Sequence, residues 1–195
     1  DEKTQKGIRA SKKIFERTLK NRERRLNQYM ADLLSKNNKL KTLRFEVGYQ
    51  RKTNPGCSLV DLLAADKEDI SIFLTKIKES KYYPHLKGYI YKHEYCFYTA
   101  HRYHFIFLFS EHFTDDEKLT VTDIGELWQL AAGSNNSSYI HCLDQTGYRF
   151  AQIGDINENT YFNNDNLSNA LSYLKYSDYF FKIKVHKQLH CVELN

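Results

Sequence analysis

Two residues in this chain carry the chemistry of a metal site: His104 and Glu94, on two runs that read as neighbouring strands. A carboxylate oxygen and an imidazole nitrogen facing each other across a cross-strand pair suit Mg²⁺ or Mn²⁺. A second group lies in Ser172 to Lys182, S-Y-L-K-Y-S-D-Y-F-F-K, where Tyr173, Tyr176 and (if the helix continues) Phe180 fall near one helical face. A helical tyrosine beside a divalent cation can attack a phosphodiester, because the metal stabilises the charge that builds on the phosphoryl oxygens. Each feature also has a plainer reading: a packed core histidine, an ordinary charge, tyrosines that fill a half-buried surface. His186, His190 and Cys191 make a third local cluster, without the four-ligand spacing of structural zinc. There is no Gly-rich phosphate loop, dinucleotide fingerprint, H-E-x-x-H or nucleophile-elbow serine, so most familiar enzyme classes have no support.

The elements that must position these residues are legible in outline. His101 to Phe109, H-R-Y-H-F-I-F-L-F, reads as a buried strand with Tyr103, Phe105, Phe107 and Phe109 on one face, and His104, Arg102, Ile106 and Leu108 on the other. Gly88 to Tyr98 is the strand before it, joined by a short turn near Thr99–Arg102. Leu40 to Gln50 alternates as a first strand, with Leu43, Phe45 and Val47 on one face, and Asp61 to Ser80 reads as a helix that ends before Tyr83-Pro84. Thr122 to Ala132 is a helix capped by Thr122 or Asp123 and closed before Gly133. Ser137 to Ile153 reads as a strand pair turning at Gln145-Thr146-Gly147. Asn163–Asn166 caps a last helix from Leu167 to about Tyr176, and Ile183 to Leu194 adds an edge strand. The order implies an α+β fold: a ferredoxin-like antiparallel sheet with packed helices.

Ahead of this domain, taken as residues 38–195, a long helix is expected within residues 1–37. Ile8, Phe15, Leu19, Leu26, Met30 and Leu33 form one narrow apolar stripe, and the other faces are basic, with Lys12, Lys13, Arg17, Lys20, Arg22, Arg24 and Arg25. Such a helix can track a phosphate backbone, or dock its stripe on the domain or on a second copy. The net charge of +5 leans the same way, mildly. Four widely separated cysteines without a C-x-x-C pair suit a reduced, cytoplasmic protein, and no signal peptide or membrane span is legible. The chain opens on Asp1 rather than Met, which suggests a trimmed sequence.

Short blocks, taken in order, carry a resemblance: Tyr91-Lys92-His93-Glu94, Tyr103-His104-Phe105-Ile106-Phe107-Leu108, Ile124-Gly125-Glu126-Leu127-Trp128, Ile153-Gly154-Asp155-Ile156, Asn166-Leu167 and Ser172-Tyr173-Leu174-Lys175. Over roughly Leu40 to Lys184 the chain resembles the replication-initiator-like family of filamentous (inovirus) phages and cryptic prophages. The resemblance implies an HUH endonuclease fold, in which a histidine-hydrophobic-histidine strand binds a divalent metal and a helical tyrosine nicks single-stranded DNA, as in rolling-circle replication. His104 then matches the first histidine, Glu94 the acid ahead of it and Tyr173 the nucleophile. Two positions depart from the pattern. Ile106 stands where the second histidine belongs and cannot bind a metal. Tyr176 stands where a lysine is expected, with Lys175 one place early and an alternative Y-x-x-K at Tyr179–Lys182.

The resulting expectation is a DNA-binding initiator-like protein of a phage or mobile element that acts on single-stranded or origin DNA. Tyr173, Tyr176 and Lys175 would carry catalysis, His104 and Glu94 would hold Mg²⁺ or Mn²⁺, and Lys12, Lys13, Arg17, Lys20, Arg24, Arg25 and Arg102 would contact nucleic acid. The competing expectation is a catalytically degenerate HUH-fold regulator that binds DNA or RNA, or a protein that interferes with replication. Self-association through the N-terminal helix is compatible with either.

Overall fold

The computed structural model describes residues 2–49, 59–96, 100–133, 138–142, 154–161, 165–176 and 189–193. The long first helix, α1, spans Glu2–Lys36 and leads into β1 (Leu40–Tyr49). Then come α2 (Leu59–Glu79), a 3-10 turn at Tyr83–His85, and the hairpin strands β2 (Leu86–Cys96) and β3 (Ala100–Ser110). After α3 (Glu117–Ala132) follow β4 (Ser138–Cys142), the short β5 (Asp155–Ile156), α4 (Glu158–Tyr161), α5 (Asp165–Tyr176) and β6 (Leu189–Glu193). The strands make one antiparallel sheet in the order β4-β1-β3-β2-β6, with β5 paired to the start of β1.

β3 lies at the centre, which explains its composition. A strand covered on both faces has no solvent side to keep polar, so 103–109 is buried throughout. Its alternation still sorts the side chains. Tyr103, Phe105, Phe107 and Phe109 join Leu43, Phe45 and Val47 of β1 under α2 and α3, which contribute Phe73, Ile77, Ile124 and Trp128. Aromatic packing fixes this layer: Phe45 stacks on Phe105 at 5.2 Å, Phe73 meets Trp128 edge-on at 5.5 Å, and the buried indole donates to Gly48 O at 3.2 Å.

The opposite face is closed by α1 and α5. Leu26, Tyr29, Met30, Leu33 and Leu34 of α1 pack with Ile90, Ile106 and Leu108, and α5 adds Leu167, Ala170 and Leu171. The expected stripe of α1 is therefore docked at Leu26, Met30 and Leu33, within the same core as residues beyond 37; the side chains of Ile8, Phe15 and Leu19 lie outside the described residues. α1 reaches this close because the sheet thins beneath it. Tyr29 Oη accepts from Tyr89 N–H at 3.0 Å and donates to Tyr89 O at 3.4 Å, directly over Gly88.

Several boundaries move from their expected places. α3 starts a turn early, at Glu117, because Asp116 rather than Thr122 or Asp123 caps it: Asp116 Oδ1 accepts Leu119 N–H at 3.1 Å, and Thr120 Oγ1 donates to Asp116 O at 2.8 Å. It ends as expected, with Gly133 at φ 74° in the left-handed cap position. The strand pair expected over Ser137 to Ile153 contains β4; its turn at 145–147 lies outside the described residues. β5 and α4 were not legible, since β5 has only two residues and α4 a single turn capped by Asn157 Oδ1.

Asp123 is engaged elsewhere. Tyr82 Oη donates to its carboxylate and Lys81 Nζ stands 2.9 Å from the same oxygen, tying the turn after α2 to α3. The phenol bond, then the ammonium, hold the Asp123 carboxyl below its ordinary value of 3.8. A carboxyl depressed on folding adds stability that is fully present above that ordinary value and lost as pH falls through the lower folded one. Asp123→Asn is expected to flatten the acid limb of a plot of Tm against pH below about pH 4. The effect should be small, because the carboxylate side chain is 40% exposed and solvent screens the contact. An acid limb identical to wild type would show the contact adds nothing.

Candidate functional site

The chemistry-bearing residues gather where three strands cross one end of the α1/α5 face. Residues directly opposite in an antiparallel pair project to the same side, so the register defines rows. His104 of β3 lies between Glu46 of β1 and Lys92 of β2. One row towards the hairpin end, Arg102 lies between Gly48 and Glu94; one row the other way, Ile106 lies between Arg44 and Ile90. The backbone of His141 on β4 stands opposite Glu46 in register.

The expected His104–Glu94 pair is therefore corrected. Glu94 stands opposite Arg102, two residues along from the position opposite His104, and the acid facing the imidazole is Glu46. His104 Nδ1 stands 3.1 Å from Glu46 Oε2, at ion-pair distance though off the axis of a linear hydrogen bond. Arg102 Nη1 reaches Glu46 Oε1 at 3.4 Å, so one carboxylate serves two neighbours on β3. Glu46, Arg44, Lys92 and His104 are all buried, the last two at 2% exposure. A signal for Glu46 was present: in L-R-F-E-V-G the even positions hold Arg44 and Glu46 between apolar ones, and charges on a strand buried on both sides need partners.

Of this set, only Glu46 and His104 offer metal donors; the side chains of Glu94 and His141 lie outside the described residues. Among the described residues no group of three or more His, Cys, Asp or Glu is arranged to hold one. Ile106, at the missing histidine, is 1% exposed and built into the apolar cluster with Ile90 and Leu171. The Lys92 ammonium opposite His104 and the Arg44 guanidinium two residues from Glu46 add positive charge where a dication would need negative. What the row does is join β1 to β3 electrostatically, through Glu46 to His104 and Arg102.

No protein-family model, curated protein or solved structure matches the chain.

The remaining expected residues are spread out. Tyr173, Lys175 and Tyr176 fall in the last turns of α5, placed by backbone alone; α5 covers the same sheet face that carries His104. Tyr179 and Lys182 lie outside the described residues, as does His186. His190 and Cys191 are successive residues of β6, opposite Tyr91 and Ile90, and so belong to opposite faces of the sheet. On α1, Lys13, Arg17, Lys20, Arg24 and Arg25 are exposed, and the side chain of Lys12 is outside the described residues. Among the described residues no helix is long and apolar enough to cross a membrane.

Proposed function

We propose that the chain is a DNA-binding protein of the replication-initiator-like type, built on a ferredoxin-like, HUH-type sheet, that holds the phosphate backbone through α1 and does so without a metal. The observation that carries this reading is a cationic ridge. Lys13, Arg17, Lys20 and Arg24 follow one another at i, i+4, i+7 and i+11, the spacing of a single helical face, and all four are exposed. At about 1.5 Å per residue the ridge runs roughly 16 Å, enough to face several successive phosphates. It precedes Leu26, the first α1 residue in the described core, so its charges have no packing duties. The fold assignment draws support from the strand order β4-β1-β3-β2 with α2 and α3 on one face, the arrangement of a split β-α-β-β-α-β unit.

The test is the salt dependence of affinity for a single-stranded oligonucleotide. Replacing Lys13, Arg17, Lys20 and Arg24 together by glutamine should flatten the slope of log K against log salt by roughly 3, the loss of about four phosphate contacts. Folding stability should stay within about 0.5 kcal/mol, since these are surface positions. A weakened affinity with an unchanged slope would remove the ridge from the phosphate backbone.

A second reading retains nicking activity. It is favoured by α5, which brings the backbone of Tyr173 to the sheet face of His104. That reading requires a covalent protein–DNA adduct that Tyr173→Phe abolishes.

A further inference from the structure

We propose that the outer face of α3 is a docking surface for the basic ridge of α1 in a second copy of this chain. Leu119, Asp123, Glu126 and Leu130 follow one another at i, i+4, i+7 and i+11, so they form one stripe along the helix. The stripe points away from the core that α3 covers with Val121, Ile124 and Trp128. Its two leucines are 66% and 67% exposed, and Glu126 is exposed between them. Asp123 is shared: Lys81 and Tyr82 hold it from the turn after α2, so Glu126 supplies the larger part of the negative charge. The stripe is thus acidic in the middle and apolar at both ends.

The ridge has the same spacing with the opposite charge. Lys13, Arg17, Lys20 and Arg24 also stand at i, i+4, i+7 and i+11, and among the described residues none of the four is in an ion pair. Laid antiparallel on the stripe, Arg17 meets Glu126 and Lys20 meets Asp123, while the aliphatic stems of Lys13 and Arg24 cover Leu130 and Leu119. The occupant must be another molecule. α1 is one uninterrupted helix fixed to its own sheet through Leu26, Met30 and Leu33, on the face opposite to α3. Each chain carries one ridge and one stripe, so a reciprocal exchange closes a two-fold dimer in which the contact is made twice. Exposed ion pairs are individually weak and screened by salt, so the dimer belongs to high protein concentration and low ionic strength. The association does not depend on the phosphate-binding reading of the ridge, and no nucleic acid enters its test.

Sedimentation equilibrium of the full chain at about 0.05 M and about 0.5 M salt tests the contact. The expected result is a monomer–dimer equilibrium at the lower salt that reverts to monomer at the higher. Glu126→Arg and Arg17→Glu should each weaken association about tenfold or more, because like charges then face each other. The chain carrying both reversals should recover the association of the wild type. Both positions are exposed, and a thermal melt of each variant checks that the fold is kept. A monomer at every protein concentration in the low-salt sample overturns the proposal. So does a dimer that either single reversal leaves intact, or one that the double reversal fails to restore.

Discussion

Glu46→Ala should destabilise the protein by about 3–5 kcal/mol, the cost of removing one partner from a buried ionic group. The carboxylate stands 3.1 Å from His104 Nδ1 and 3.4 Å from Arg102 Nη1, with the buried Arg44 and Lys92 on the flanking strands. Its loss takes away the acid that both β3 side chains share. Chemical denaturation would read the loss as a lower midpoint at an unchanged slope. The same experiment separates an ion-pair row from a metal site. Wild-type stability should be equal in Mn²⁺ and in EDTA, because a ligand stabilises only what binds it. Lys92→Glu, which gives the row a third protein donor beside His104 and Glu46, is expected to melt higher in Mn²⁺ than in EDTA. A wild-type melting point that rises in Mn²⁺, and no longer rises in His104→Ala, would reinstate the metal.

Gly88→Ala is the second large effect, and it arises from packing alone. A Cβ at this position would sit 2.2 Å from Tyr29 Oη and 2.9 Å from Leu33 Cδ1, both on α1. The helix must move or the phenol must leave its seat between Tyr89 N–H and Tyr89 O. Overpacking costs about 1–3 kcal/mol, and an orphaned buried amide adds about 1–3, against a gain under about 1 from a stiffer unfolded chain. The expected loss is on the order of 3 kcal/mol. Tyr29→Phe removes the atom in closest conflict, so a double-mutant cycle should show strong coupling, with Gly88→Ala costing less when Tyr29→Phe is already present. Additive losses would mean that α1 does not rest on Gly88.

The contrast between these two positions shows what the sequence carries. The central strand was legible because its physics is local: a dense apolar run with its rings at alternate residues has one reasonable sorting into faces, and the core follows it from Tyr103 to Phe109. The partner of His104 was not legible, because register is a property of two strands and a turn. Cys96 pairs with Ala100, which centres the hairpin on 98 and sets Glu94 against Arg102; a hairpin centred one residue later would have set Glu94 against His104. A two-residue difference in the β2–β3 register thus decides which acid meets the imidazole. Glu46 reaches it from the far side, through the β1–β3 pairing that only the tertiary fold creates. At the expected metal position, the departure at Ile106 was visible from the outset, and the register adds a second. Ile106 is an apolar core residue, and the Lys92 ammonium stands opposite His104, where a metal centre would need donors.

The most direct measurement places the full chain with a radiolabelled single-stranded oligonucleotide in parallel samples containing Mn²⁺ or EDTA, with affinity read first and covalent products read on a denaturing gel. Binding by the α1 ridge over a metal-free ion-pair row predicts the same Kd in both samples and no covalent band. A band that requires Mn²⁺ and disappears in Tyr173→Phe would contradict that account, as would the absence of binding in either sample.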